Sequence, residues 1–241
     1  MKRIEPEWPA PGRVHAFVTT REGGVSTGEF ASLNLGERSG DAPENVARNR
    51  AIVRGHLPAE PRWLEQVHGA HVVELGGAHD ARLRADAAVT GRAGEVAVVL
   101  IADCMPLFLA NRDGSRVGLV HAGWRGMAAG VIENAVVALD ASPANVLAWM
   151  GPTIGPDAFE VGAEVREAFV AVDGRAGTAF KPHAPGKYMA DLYALARQRL
   201  ARAGVGAVFG GGFCTYHDAE RFFSYRRVRT SGRMGAFIWI G

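Results

Sequence analysis

The sequence reads Glu95-Val-Ala-Val-Val-Leu-Ile-Ala-Asp-Cys104, continues as Met105-Pro-Leu-Phe-Leu-Ala-Asn-Arg-Asp-Gly114, and runs on through Ser115-Arg-Val-Gly-Leu-Val-His121-Ala-Gly-Trp-Arg-Gly126. Asp113-Gly114 stands between two apolar runs, and this dipeptide is typical of tight turns that join antiparallel strands. The stretch therefore predicts a buried β-hairpin. Folding back at the turn would bring Cys104 and His121 together at the open end.

Further strands and helices are predicted on both sides of this hairpin. The strands are expected at residues 14–20, 63–67, 71–75, 146–150, 205–209, 221–225 and 234–240. The helices are expected at residues 41–57, 127–139, 163–172 and 191–203, with Asp41 and Asp191 as their caps where they begin. Strand pairs that alternate with single helices predict an α/β (α+β) fold, a single compact domain over residues 1–241 with mixed β-sheets and flanking helices.

The composition narrows the class of protein. The chain has 241 residues, of which 48% are hydrophobic and 22% charged, as is usual for a soluble protein. A net charge of +2 gives no reason to expect a nucleic-acid partner. Two cysteines are too few for a disulfide framework, and no apolar run approaches the about 20 residues of a membrane span. The N-terminus lacks the apolar core of a signal peptide, so we expect a reduced, cytoplasmic location.

Cys104 and His121 need a third group to define their chemistry, and His68 in Gln66-Val-His-Gly69 is the best candidate. One cysteine and two histidines form a ligand set for zinc that leaves one position open for water or substrate. Two other interpretations stay open from spacing alone. Cys104 can be an ordinary core residue, or a nucleophile with His121 as its base.

Several arginines are candidates for anion binding. Arg125 lies in Gly123-Trp-Arg-Gly126, which leads into a predicted helix, and Arg21 opens a long glycine-rich loop at residues 21–36. Loops of that length in compact domains are usually functional, and a guanidinium can bind phosphate through two parallel hydrogen bonds. Arg226 and Arg227 are the alternatives.

Eight motifs occur in an order that is specific to one family. They are Thr20-Arg-Glu-Gly-Gly-Val-Ser26, Ser32-Leu-Asn-Leu-Gly36, Gln66-Val-His-Gly69, Ala102-Asp-Cys-Met-Pro106, His121-Ala-Gly-Trp-Arg-Gly126, Gly151-Pro-Thr-Ile-Gly155, Phe222-Phe-Ser-Tyr-Arg-Arg227 and Gly232-Arg-Met234. From about Val14 to its C-terminus, the chain resembles the YfiH/YlmD family, also described as the multicopper polyphenol oxidase, laccase-domain or peptidoglycan editing factor family.

The resemblance implies a fold distantly similar to cysteine hydrolases and a zinc ion bound by His68, Cys104 and His121, which are also the implied catalytic residues. It implies phosphorolysis of adenosine, inosine and methylthioadenosine, together with adenosine deamination. The expected partners are thus a purine nucleoside and phosphate. Arg21, Asn34 and Arg125 are our candidates for contacts with the substrates.

Three other functions compete with this expectation. The first is a copper-dependent polyphenol oxidase, because copper binds the same ligands, although eight histidines without a His-x-His pair are few for a multicopper cluster. The second is a metal-free Cys104–His121 amidase, a hydrolase that acts in peptidoglycan precursor editing. The third is a non-catalytic protein with a structural zinc.

Overall fold

A computed structural model describes residues 1–76 and 83–241. Its strands are β1 Arg3–Ile4, β2 Val14–Thr19, β3 Arg62–Glu65, β4 Val72–Glu74, β5 Leu83–Arg84, β6 Ala87–Thr90, β7 Ala97–Ile101, β8 Met105–Asn111, β9 Val117–Ala122, β10 Val146–Met150, β11 Glu160–Gly162, β12 Phe180–Pro182, β13 Lys187–Ala190, β14 Ala207–Gly210 and β15 Met234–Ile240. Its α-helices are α1 Pro43–Arg54, α2 Trp124–Ala128, α3 Val131–Ala138, α4 Ala163–Val170 and α5 Leu192–Arg202. Short 3-10 helices lie at Gly28–Phe30, Pro143–Asn145 and Gly174–Ala179.

The strands form two large mixed sheets and one small sheet. The first sheet has the order β1-β2-β15-β7-β3-β5, the second β14-β10-β8-β9-β6-β4, and the small one β11-β13-β12. The predicted hairpin is β8 and β9 at the centre of the second sheet, with Pro106 opposite His121. Parallel pairs, such as β10 with β14, occur beside antiparallel ones, which confirms the predicted mixed sheets.

The two large sheets pack face to face between layers of helix. Phe108 and Leu119 of the second sheet share a buried cluster with Val99 and Ile238 of the first. The opposite face of the second sheet packs on α3 and α5, and the opposite face of the first sheet packs on α1. Every residue of β8 and β9 is therefore buried, which explains why their sequences are continuously apolar rather than alternating.

Within the described residues, the chain passes from the first sheet to the second three times, between β3 and β4, between β5 and β6, and between β7 and β8. The first and the third of these crossings lie close together. Each contains a residue other than glycine in the left-handed region, with φ 59° at His68 and φ 92° at Asp103. Such backbone is uncommon for these residue types and often occurs at functional sites.

Two predicted elements differ from the structure. The helix predicted at residues 127–139 is interrupted, because Gly130 adopts φ 93° between α2 and α3. Residues 221–225 form no strand: Arg221 and Tyr225 are in turns and residues 222–224 have no regular secondary structure, although Phe222 and Phe223 are buried. In both cases the apolar pattern indicated burial correctly and the backbone conformation wrongly.

The ends of two predicted helices also need correction. Asp41 does not cap α1, since Ala42 occupies the cap position and the Asp41 carboxylate accepts a hydrogen bond from the Ser26 hydroxyl. The predicted helix at residues 163–172 ends at Val170, and Val172 is exposed rather than inward. By contrast, Asp191 caps α5 as expected, because its side chain accepts from the amide of Ala194.

Candidate functional site

The structure brings His68 and Cys104, which lie at two of the crossings between the sheets, together with His121 of β9. Their candidate ligand atoms all lie within 4.8 Å of one another, and the two imidazole rings are 4.8 Å apart at an angle of 72°. His121 is buried, Cys104 half-buried and His68 exposed, so the cluster is open to solvent on one side. A thiolate and two imidazoles are a donor set that suits zinc or copper.

The register of the hairpin determines where Cys104 lies. Met105 pairs with Ala122, so the next residues outward are Cys104 on one strand and Gly123 beyond the other. A Cβ atom at Gly123 would stand 2.7 Å from Cys104 Sγ, closer than atoms can approach. The thiol therefore occupies space that only a glycine leaves free.

Asp86, a residue that the sequence analysis did not single out, connects the two histidines. Its fully buried carboxylate lies 2.9 Å from His121 Nδ1, and its other contacts are the amides of Val67, His68 and Gly69 at 3.2, 2.9 and 2.7 Å. Asp86 thus leaves Nε2 of His121 for the cluster and holds the backbone of His68 in its left-handed conformation.

These contacts shift the pKa values of Cys104 and His121. Burial alone would raise the pKa of the Cys104 thiol, but the positive charge of His121 and hydrogen bonds from His121 and His68 lower that pKa to about 6. Burial alone would lower the pKa of His121, but the charge of Cys104 and the hydrogen bond to Asp86 raise it to about 9. At neutral pH, without an ion, the two residues therefore form a thiolate–imidazolium pair.

A cavity of about 710 Å³ opens onto the cluster. Its wall includes the aromatic residues Trp63, Trp124 and Tyr225 and the acids Glu37, Glu65 and Asp103. It is rich in arginine, with Arg38, Arg50, Arg125, Arg226, Arg229 and Arg233. A volume of this size accommodates a small molecule, and the excess of cations favours an anionic one.

Two of the residues that were expected to contact the substrates do not line the cavity. Arg21 is not part of the cavity wall; its guanidinium donates to the carbonyls of Ala31 and Ala219 and lies 4.6 Å from the ring of Phe223. Asn34 is fully buried and is bonded to Ser39, Asp41, Gly36 and Arg233. Both side chains hold the long loop in place.

Of the other candidate arginines, two line the cavity and one does not. Arg125 does line the cavity, where its guanidinium lies 4.5 Å from the ring of Trp124. Arg226 lines it as well, whereas Arg227 donates to the carbonyls of Thr215, Tyr216 and Phe222 and is structural.

Asp103 lies at the cavity but has little freedom for proton transfer. One carboxylate oxygen accepts from the hydroxyl of Thr215 at 2.7 Å, and the other accepts from the amide of Arg226 at 2.7 Å. The strand breaks at this residue, as its positive φ requires. Its carboxylate therefore ties the segment at residues 215–226 to the backbone beside Cys104.

The sequence contains weak signals for the residues that were missed. Asp86 is a lone acid that immediately precedes the apolar strand β6, and an acid in that position requires a buried partner. Arg229 and Arg233 follow the predicted strand at residues 221–225, in a stretch whose conformation the pattern does not indicate.

Comparison with known proteins identifies relatives over nearly the whole chain. Residues 15–241 match a family model described as multi-copper polyphenol oxidoreductase laccase. The purine nucleoside phosphorylase YfiH of Shigella flexneri is 54% identical, with 99% of each chain covered. A purine nucleoside phosphorylase of Pseudomonas aeruginosa is 51% identical, with 98% of each chain covered.

Solved structures share the fold. The crystal structure of Neisseria meningitidis protein NMB0706 has a TM-score of 0.94 at 45% identity and covers 100% of this chain and 99% of its own. YlmD from Geobacillus stearothermophilus has a TM-score of 0.88 at 33% identity and covers 95% of this chain and 92% of its own.

Among the described residues, no helix has the length and apolar character to cross a membrane.

Proposed function

This chain belongs to the family described as multi-copper polyphenol oxidoreductase laccase, and we propose that it is a metal-dependent purine nucleoside phosphorylase that also deaminates adenosine. Its proposed substrates are adenosine, inosine and methylthioadenosine, with inorganic phosphate. Relatives named purine nucleoside phosphorylase at 54% identity over 99% of the chain support this proposal.

The observation that carries the proposal is a single cavity that contains both the His68–Cys104–His121 cluster and several arginines. Phosphorolysis requires two substrates in one place, a nucleoside and an anion. The aromatic rings of Trp63, Trp124 and Tyr225 offer surfaces against which a purine can stack. Arg125 remains our candidate for one of the phosphate contacts.

His68, Cys104 and His121 would hold the metal, and zinc is the ion that we propose. When bound, such an ion supplies a Lewis acid and lowers the pKa of a coordinated water molecule. The chain's own contribution is to position the donors: Asp86 holds His121 in the tautomer that leaves Nε2 available, and Gly123 provides the space for the Cys104 thiol.

Phosphorolysis has stronger support than deamination. Zinc deaminases use a free glutamate to move protons. The three acids of the cavity wall all bind protein groups, since Glu37 pairs with Arg50, Glu65 pairs with Arg38, and Asp103 accepts from Thr215 and Arg226. We therefore propose deamination as the slower of the two activities.

Release of hypoxanthine from inosine tests the proposal directly. Protein of measured metal content should release the base only when phosphate is present, and without consuming oxygen. Cys104→Ala should lose both the metal and the activity. Rapid oxygen uptake with a phenol by the zinc form, with no base release from inosine, would show that the oxidase alternative is correct.

A second candidate is a cysteine hydrolase, and one observation favours it. Asp86, His121 and Cys104 lie in the order acid–base–nucleophile, with 2.9 Å between Asp86 Oδ1 and His121 Nδ1. Metal analysis separates the two functions, because a hydrolase that uses the free thiolate should be inhibited by zinc rather than activated.

A further inference from the structure

The arginines of the cavity wall fall into two groups according to their partners. Arg38 forms an ion pair with Glu65 at 3.2 Å, and Arg50 pairs with Glu37. Within the described ranges, Arg125, Arg226, Arg229 and Arg233 have no carboxylate within ion-pair distance, and the guanidinium of Arg226 donates to the carbonyl of Glu160. The positive charge of the cavity is therefore concentrated on part of its wall, where an anionic ligand would neutralise it.

Arg229 and Arg233 converge on the same aromatic ring. Their guanidinium carbons lie 5.9 and 5.8 Å from the ring centroid of Tyr225, whose side chain is 45% exposed. Two cations near one ring repel each other, so this arrangement costs energy in the empty protein. A doubly charged anion between or beside the two guanidinium groups would attract both of them and offset that repulsion.

Arg233 is the cation of this pair that interacts electrostatically with the cluster. Burial lowers the pKa of Arg233, while the negative charges of Cys104 and Asp103 raise it. Its Nη1 donates to the carbonyls of Ser231 and Gly232 at 2.6 and 3.0 Å, which fixes the direction of the guanidinium. The side chain is thus held in place before any ligand binds, which reduces the entropy lost on binding.

We infer that Arg229 and Arg233, with Tyr225 beside them, form the subsite for the phosphate co-substrate. This inference rests on the proposed phosphorylase function. Guanidinium groups match phosphate in geometry and charge, and the Tyr225 hydroxyl adds a hydrogen-bond donor. The subsite takes the place of the one that the sequence suggested at Arg21, which lies outside the cavity wall.

The subsite would hold phosphate for the phosphorolysis reaction. An oxygen of HPO₄²⁻ forms a bond to C1′ of the ribose as the bond from C1′ to the purine nitrogen breaks. The phosphate loses its proton and the departing base gains one, which yields ribose 1-phosphate and the free purine. Arg229 and Arg233 hold the attacking anion and move no protons.

Three variants test the subsite: Arg229→Ala, Arg233→Ala and Arg233→Lys. We expect the alanine variants to raise the KM for phosphate on the order of 100-fold, because each loses a charged contact, while the KM for inosine changes little. The lysine variant keeps the charge and should recover part of the loss. Arg48→Ala is the matched control, since Arg48 is an exposed arginine of α1 outside the cavity wall.

Phosphate binding without turnover provides the second measurement. Calorimetric titration of inorganic phosphate into metal-free protein should show binding for the wild type and the control, and none for Arg229→Ala or Arg233→Ala. If the wild type binds phosphate in this way but never cleaves inosine, the proposed function is wrong and the subsite stands.

Two outcomes would overturn the inference. In the first, the wild type cleaves inosine and the alanine variants keep its phosphate KM and phosphate affinity. In the second, Arg233→Ala loses phosphate and inosine binding equally, together with a lowered Tm, and Arg229→Ala behaves as wild type. That pattern would show that Arg233 only supports the fold through the carbonyls of Ser231 and Gly232.

Discussion

Asp86 illustrates how one buried side chain can organise a site without contacting the substrate. It binds the ring of His121 and the amide of His68, so the two histidines depend on one carboxylate. Burial would raise the pKa of Asp86, but the hydrogen bonds from His121 and from the amides of Gly69 and Val67 lower it. The carboxylate is therefore ionised at neutral pH and acts as an acceptor for all of its donors.

Asp86→Asn should weaken metal binding by about 10- to 100-fold, as is typical when a partner behind a ligating histidine is lost. The amide keeps the size of the side chain but lacks the charge that favours the correct ring orientation. Competition with a chromophoric chelator measures the affinity, and the absorption of a cobalt-substituted sample reports whether the thiolate still binds. Unchanged affinity in Asp86→Asn would mean that His121 is oriented by its packing alone.

Cys104 should react as a thiolate under mildly acidic conditions. Its pKa of about 6 implies that, in chelator-treated protein, the alkylation rate rises between about pH 5 and 7 and then levels off. An ordinary thiol with a pKa of about 8.5 would show an alkylation rate that continues to rise above this pH range. Iodoacetamide labelling followed by mass spectrometry gives the profile. His121→Ala should move the midpoint upward, because the cation that stabilises the thiolate is gone; a midpoint above about pH 8 in the unchanged protein would refute the ion pair.

At the scale of residues, the sequence was informative where a residue type suited to metal binding also stands in a clear local pattern. His68, Cys104 and His121 lie in short motifs at the ends of apolar segments, and the structure brings them together. Arg21 and Asn34 do not line the cavity, because a polar side chain in a glycine-rich loop can bind the loop itself. Which carbonyls or amides such a side chain meets depends on long-range packing, as the contact of Asn34 with Arg233 shows.

The β8–β9 hairpin determines the geometry of the site at the scale of elements. It was predictable because the turn residues and the two apolar runs are contiguous in sequence. The break between α2 and α3 was missed because a helix tolerates an isolated glycine, and only the left-handed backbone of Gly130 reveals the interruption.

Gly123→Ala tests the close approach at the end of the hairpin. The new methyl group would lie 2.7 Å from Cys104 Sγ, so the thiol must move and the ligand atoms must separate. We expect at most partial metal occupancy by elemental analysis, with the secondary structure retained in circular dichroism. Gly174→Ala is the control, because a Cβ atom there meets nothing within 4 Å. Full occupancy in Gly123→Ala would show that Cys104 is not held where the hairpin places it.

At the scale of the whole molecule, the two large sheets share one buried interface. Residues from both, among them Phe108 and Ile238, belong to the same apolar cluster. The sequence could not show this division, because strands buried on both faces look alike whichever sheet they join. The crossings at His68 and Asp103 were likewise hidden, since a change of sheet leaves no periodic pattern.

This shared interface leads us to expect a single domain over residues 1–241 that unfolds in one cooperative step. Separating the sheets would expose the whole cluster at once, so neither sheet should be stable alone. Near- and far-ultraviolet circular dichroism should give the same Tm. Phe108→Ala should lower stability by about 3–5 kcal/mol and move both signals together. Limited proteolysis that releases two folded fragments would contradict this expectation.

The position of the cluster beside crossings between the two sheets has a mechanical consequence. An ion bound by His68, Cys104 and His121 would act as a cross-link between chain segments that are distant in sequence, much as a disulfide does, and would restrict the unfolded chain. The backbone amides around these crossings should then exchange with deuterated solvent more slowly when metal is added, while those of α4, which contributes no residue to the cavity wall, remain unaffected. In this way the same three side chains would hold the two sheets together and line the cavity.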